Sequence, residues 1–122
     1  MGTLTEYGKI LRHIRVDLSE LLGVMAKKLN VSPAYLSSIE TGQRTIPSDF
    51  TDRIVSMYSL SDETKEDLLR AEAASNKAVT INLLGATSEQ IDATVMFARE
   101  VKRMSVEELR KLAKQLKERK GK

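Results

Sequence analysis

The stretch Met25-Ala26-Lys27-Lys28-Leu29-Asn30-Val31-Ser32-Pro33-Ala34-Tyr35-Leu36-Ser37-Ser38-Ile39-Glu40-Thr41-Gly42 encodes two helices and a very short turn. Met25, Ala26 and Leu29 share one helical face and Lys27 and Lys28 the other, which predicts a helix over 22–29. Ser32 then reads as an N-cap. Pro33 follows at the first helical position, where its missing N–H costs nothing. Leu36 and Ile39 lie three apart on one face, and Gly42 stands where a left-handed residue ends a helix. The opposite face carries Ala34, Ser37 and Ser38, all small. A helix of this length is weak alone and must be held by packing. Small outward residues on a packed helix suit docking against a surface.

Upstream, Tyr7, Ile10, Leu11 and Ile14 recur at helical spacing, with Lys9, Arg12 and the lone His13 facing away, so a first helix is expected from about residue 3 or 4. A break is expected at 17–20. Downstream, Pro47 and Ser48 are expected to open a fourth helix running to 58, with Phe50, Ile54, Val55 and Met57 as apolar positions. Ser61 with Asp62 and Glu63 caps a fifth, which uses Leu68, Leu69, Ala71 and Ala74 and fades near Asn76. Residues 1–76 therefore read as one five-helix domain.

The period changes at Val79-Thr80-Ile81-Asn82-Leu83. Apolar and polar residues alternate there and β-branched residues concentrate, which predicts a short strand closed by Gly85. No partner strand is evident in the chain, so the expected strand pairs with its mate in a homodimer or with another protein; the alternative is an extended connector. Thr87 with Gln90 and Ser105 with Glu108 match capping boxes. They predict helices over about 88–103 and from 105 onward, the latter with a stripe of Val106, Leu109, Leu112, Ala113 and Leu116. Lys120-Gly121-Lys122 is expected to fray. The expected fold class is all-α: a five-helix bundle, then a short β-strand and two C-terminal helices, with 77–122 serving dimerisation or partner binding.

Composition narrows the function. The 122 residues are 41% hydrophobic and 30% charged, an ordinary globular balance. There is no Cys and a single His, so thiolate or histidine metal clusters and a Cys nucleophile are excluded. No Gly-rich phosphate loop is present. The acid pairs Asp62/Glu63 and Glu107/Glu108 fall in first helical turns, where capping explains them. An enzyme is not expected, nor a cofactor or metal. No apolar run approaches the roughly 18 residues of a membrane span, and no signal-peptide core is seen, so a cytoplasmic protein is expected. A net charge of +3 and an isoelectric point near 9.2 suit a polyanionic partner.

The residues 25–32 and Tyr35-Leu36-Ser37-Ser38-Ile39-Glu40-Thr41-Gly42 resemble the Xre/Cro/C1-type helix-turn-helix family over roughly the first half of the chain. That resemblance implies a five-helix bundle that binds double-stranded operator DNA as a dimer, with the third helix in the major groove. It implies a phosphate-contacting cap at Ser32, groove-facing positions at Pro33, Ala34, Ser37 and Ser38, and phosphate contacts at Gln43 and Arg44. Tyr35 either touches phosphate or packs against helix 2. Arg15 and Glu40 correspond to a structural ion pair. Two positions depart from the family's pattern. Leu22 stands where Gln often clamps a phosphate, and Pro33 and Ala34 stand where polar base-reading side chains often sit. The implied readout therefore leans on thymine methyls, serine hydrogen bonds and DNA shape. The functional expectation is a transcriptional repressor, either a prophage-type regulator or a HigA-like autoregulating antitoxin with a toxin as protein partner. The alternative is a helix-bundle interaction module without DNA binding.

Overall fold

The computed structural model describes residues 2–119, so the expected fraying of Lys120-Gly121-Lys122 lies outside the described residues. Among those residues the chain is all-helical: α1 (Glu6–Asp17), α2 (Leu22–Lys28), α3 (Pro33–Glu40), α4 (Phe50–Tyr58), α5 (Asp62–Asn76), α6 (Ser88–Glu100) with a 3-10 turn (Val101–Arg103), and α7 (Val106–Glu118). It divides into two compact units, Met1–Thr80 and Ile81–Lys122. No helix among the described residues is long and apolar enough to cross a membrane.

The first unit is built around one core. α1 contributes Tyr7 and Leu11, α2 Met25, Ala26 and Leu29, and α3 Leu36 and Ile39. The loop residue Ile46, then Phe50 and Ile54 of α4 and Leu68 and Ala71 of α5, complete it. These are mostly positions that the helical periodicity marks as apolar, and burying a large side chain of this kind stabilises by about 1.5–3 kcal/mol. A polar relay crosses the core. The Tyr7 hydroxyl meets Thr51 Oγ1 at 2.8 Å, and Thr51 Oγ1 donates to Glu72 Oε1 at 2.5 Å, linking α1, α4 and α5. Burial holds the Tyr7 phenol well above its ordinary pKa, against the opposing hydrogen bond to Thr51.

Short turns are possible because several helices end alike. Past α1, α2 and α3 the residues Ser19, Asn30 and Gly42 have φ of 52°, 60° and 76°. The next residue's N–H then reaches back to a carbonyl of the last turn: Glu20 to Arg15 at 2.8 Å, Val31 to Ala26 at 3.0 Å, and Gln43 to Ser38 at 2.9 Å. This is the Schellman arrangement, which satisfies orphaned carbonyls and reverses the chain in few residues. Gly42 and Asn30 announce themselves by residue type, and Ser19 does not.

Glu20, just past the first of these turns, ties the α1–α2 corner to α4. Its carboxylate accepts from Lys28 Nζ at 2.6 Å and from the Tyr58 hydroxyl, and the Lys28 ammonium lies 5.1 Å from the Tyr58 ring centre. Burial alone would push Glu20 up, but these hydrogen bonds, with the charges of Lys28 and Arg15, outweigh it and hold the group below the usual carboxylate range. A carboxylate lowered on folding stabilises the protein above its unfolded pKa of roughly 4.3, and that contribution fades as the pH falls through the lower folded value. Glu20→Gln is therefore expected to cost on the order of 1 kcal/mol at pH 7 and almost nothing in strong acid. Chemical denaturation of both proteins at several pH values checks this; a constant difference would refute the assignment.

Three expectations are corrected. Val79-Thr80-Ile81-Asn82-Leu83 forms no strand: 78–83 have no regular structure, and Val79 and Ile81 are 75% and 58% exposed. Alternation supplies a face, but a strand exists only when its N–H and C=O groups meet another strand. Here the local groups turn the chain instead. Asn82 Oδ1 accepts from Leu84 N at 2.9 Å, and Ala86 N reaches Leu83 O at 2.9 Å around Gly85 at φ +83°. The fourth helix begins at Phe50, not at Pro47; residues 47–49 form a turn closed by Phe50 N on Pro47 O, which lets both Ile46 and Phe50 point into the core. The helix expected over 88–103 tightens to a 3-10 turn at Val101 before the Ser105 cap.

Candidate nucleic-acid interface

α3 is held by one face and open on the other. Leu36 and Ile39 are fully buried and Glu40 nearly so, whereas Ser32, Pro33 and Ala34 are exposed and Tyr35, Ser37 and Ser38 partly exposed. Its start is set by Ser32, whose Oγ accepts from Tyr35 N at 3.0 Å, with Pro33 in the first turn. The Ser32 hydroxyl proton is still available to an acceptor outside the helix. α2 packs directly on α3 and α1 crosses both, so the helix is braced from two sides.

At the far end Arg15 and Glu40 lock α3 to α1. Arg15 Nη1 lies 2.5 Å from Glu40 Oε2 and Nη2 lies 3.2 Å from Oε1, a two-pronged pair with side chains only 8% and 4% exposed. Arg15 Nη1 also touches Met25 Sδ at 3.3 Å, so the guanidinium sits over the α2 core residue as well. Glu40 ends its helix, where the dipole disfavours an anion, and the pairing depends on the cation from α1. This is a structural element, positioned away from the exposed face of α3.

Tyr35, Ser38 and Arg44 form a cluster that the residues taken singly do not reveal. The Arg44 guanidinium lies 4.8 Å from the Tyr35 ring centre. Arg44 Nε donates to Ser38 Oγ at 3.3 Å, and Ser38 Oγ donates to the Tyr35 carbonyl at 2.6 Å. Tyr35 also packs against the core from its inner side. The stacked ring and the serine aim the guanidinium of Arg44, leaving its two terminal nitrogens for a ligand. Ser38 has its proton engaged within its own helix, so it acts on Arg44 as much as it could on a base. Gln43 is exposed beside it.

The loop carrying Gln43 and Arg44 is pinned at both ends. Gly42 turns it off α3, and Ile46 fixes its far side: Asn76 Oδ1 accepts from Ile46 N at 2.9 Å, and Asn76 Nδ2 donates to Ile46 O at 3.0 Å. Asn76 thus grips both backbone groups of one buried loop residue, as a neighbouring strand would. Sequence reading leaves it at the fading end of α5, and no local signal marks this role.

At α2 the N-cap is Leu21, with no side-chain hydrogen bond to the helix and 76% exposure. Leu22 stands at the first helical position, so the polar clamp common in the resembled family has no counterpart here. Among the described residues no group of His, Asp or Glu is gathered in a way that could hold a metal ion. Comparison with known proteins finds no match in any of three directions: no family model, no curated protein and no solved structure.

Proposed function

We propose that this chain binds double-stranded operator DNA as a dimer and represses transcription, with α3 entering the major groove. The observation that carries the reading is the presentation of α3. A serine-capped helix is buried on the side of Leu36, Ile39 and Glu40 and bare on the side of Ser32, Pro33 and Ala34, with an aimed arginine at its rim. Pro33 and Ala34 offer a low apolar surface that admits close approach to thymine methyls. Ser32 and Arg44 flank it as phosphate donors, and the exposed Gln43 adds a third. The context is a regulator of the prophage or antitoxin kind; in the latter, a toxin would be the protein partner.

Titration of random-sequence duplex at two salt concentrations tests this. A chain that neutralises several phosphates should lose affinity steeply with salt, because counterion release drives binding. Arg44→Ala is expected to weaken binding about tenfold on every sequence and to reduce the salt slope by roughly one. Ser38→Ala should reproduce part of that loss, since it removes the hydroxyl that orients Arg44. Selection from a random duplex pool should return a half-site repeated with two-fold symmetry. Binding that ignores salt, or a pool that enriches no sequence, would leave the interaction-module reading in its place.

A further inference from the structure

The last turn of α5 lies against both ends of the exposed loop that follows α3. Asn76 holds the N–H and the C=O of Ile46, and Ser75 Oγ stands 4.0 Å from the point a Cβ on Gly42 would occupy. Between these contacts the chain carries Gln43 and Arg44, both exposed. The bonds from Gln43 N and Arg44 N to Ser38 O fix only the side of the loop next to α3. The turn of α5 is itself weakly secured. Leu68 and Ala71 are the buried residues of the helix, and none of 72–76 is buried. The helix stops on Lys77 at φ 57° and ψ 32°, a left-handed conformation that is costly for a lysine. Beyond it, 78–83 have no regular structure.

We propose that Asn76 is a positioning residue for duplex binding: the end of α5 is a latch whose order sets where Gln43 and Arg44 meet the phosphates. This rests on the nucleic-acid reading above and adds to it a control point remote from α3. A loop that must be ordered on binding subtracts that cost from affinity, and a loop already ordered does not. Asn76 does the ordering in the free protein. Its carboxamide supplies a donor and an acceptor together, so unwinding the last turn of α5 takes both partners from Ile46 at once. Order or strain imposed on the segment after Asn76 is thereby passed to the phosphate contacts through one side chain.

Titration of random-sequence duplex at low salt, with hydrogen exchange of the Ile46 amide, tests this on the full chain. Asn76→Ala is expected to weaken binding about fivefold and to speed Ile46 exchange roughly tenfold. In a Gln43→Ala/Arg44→Ala background the loop has no side chain left to position, and Asn76→Ala should change affinity less than about 1.5-fold. Lys77→Pro excludes the left-handed conformation and disfavours helix at Asn76, so it should reproduce the loss with Asn76 intact. Lys77→Gly removes the same charge but adopts that conformation freely, and should bind about fivefold more tightly than Lys77→Pro. Melting curves establish that each variant is folded at the titration temperature. Equal loss from Asn76→Ala in both backgrounds would make Asn76 a residue of general bundle stability and overturn the proposal. So would an unchanged Ile46 exchange rate, or equal affinities for Lys77→Pro and Lys77→Gly. A wild-type chain without salt-dependent duplex binding would remove the nucleic-acid reading and this proposal with it.

Discussion

Glu40→Ala is expected to lower the unfolding free energy by about 3–5 kcal/mol, the cost of leaving a buried charge without its partner. Arg15 is 7% exposed, and its guanidinium hydrogen-bonds the Glu40 carboxylate and touches the Met25 sulfur. Removing the carboxylate strands a cation that can neither deprotonate nor reach water without unpacking α1 from α2. The double variant Arg15→Met/Glu40→Leu should recover most of the loss, since apolar residues of similar volume replace a buried pair at little net cost. Denaturant unfolding at pH 7 measures all of these. A Glu40→Ala protein within 1 kcal/mol of wild type would mean that Arg15 finds water in the folded state.

Gly8→Ala is expected to cost about 3 kcal/mol despite alanine's higher helix propensity, which would favour the change by roughly 1 kcal/mol. A Cβ at Gly8 would stand 2.2 Å from the carbonyl oxygen of Glu40, with the Glu40 carbonyl carbon and Cβ both at 2.9 Å. The obstacle is backbone and cannot rotate away. The same carbonyl oxygen accepts from Thr5 N at 2.9 Å and from Thr5 Oγ1 at 3.1 Å, so pushing α1 off α3 breaks both bonds and spreads the Arg15–Glu40 pair. Because the two sites share Glu40, Gly8→Ala and Glu40→Ala should be markedly sub-additive when combined. Full additivity in denaturant unfolding would show that the α1–α3 contact and the ion pair are separate. Either single change should also loosen the seat of α3, and with it any duplex affinity, before the chain unfolds.

The helices were legible mainly because most of them carry local instructions. Ser32-Pro33, Ser61, Thr87/Gln90 and Ser105/Glu108 are caps whose partners lie three residues away, and each makes the bond its spacing foretells. Apolar periodicity placed Leu36 and Ile39 inward and left Ala34 outside, since a helix's faces follow from its repeat. The pairing of Arg15 with Glu40 came from resemblance and not from local pattern, as the two lie far apart in the chain.

Tertiary structure decided whatever depends on distant or absent partners. The alternation at 79–83 is a strand's pattern, but backbone pairing is not a local property, and Asn82 and Gly85 turned the segment instead. The non-glycine reversals at Ser19 and Asn30 also have positive φ, Asn being the residue that tolerates it best after glycine. The stacking of Arg44 on Tyr35, the grip of Asn76 on Ile46 and the close approach at Gly8 join residues with no shared local signal. By itself the sequence determined which segments are helical and which faces are apolar, because capping and periodicity act within a few residues. Only the folded chain decided which polar groups meet, because those contacts depend on how the helices pack.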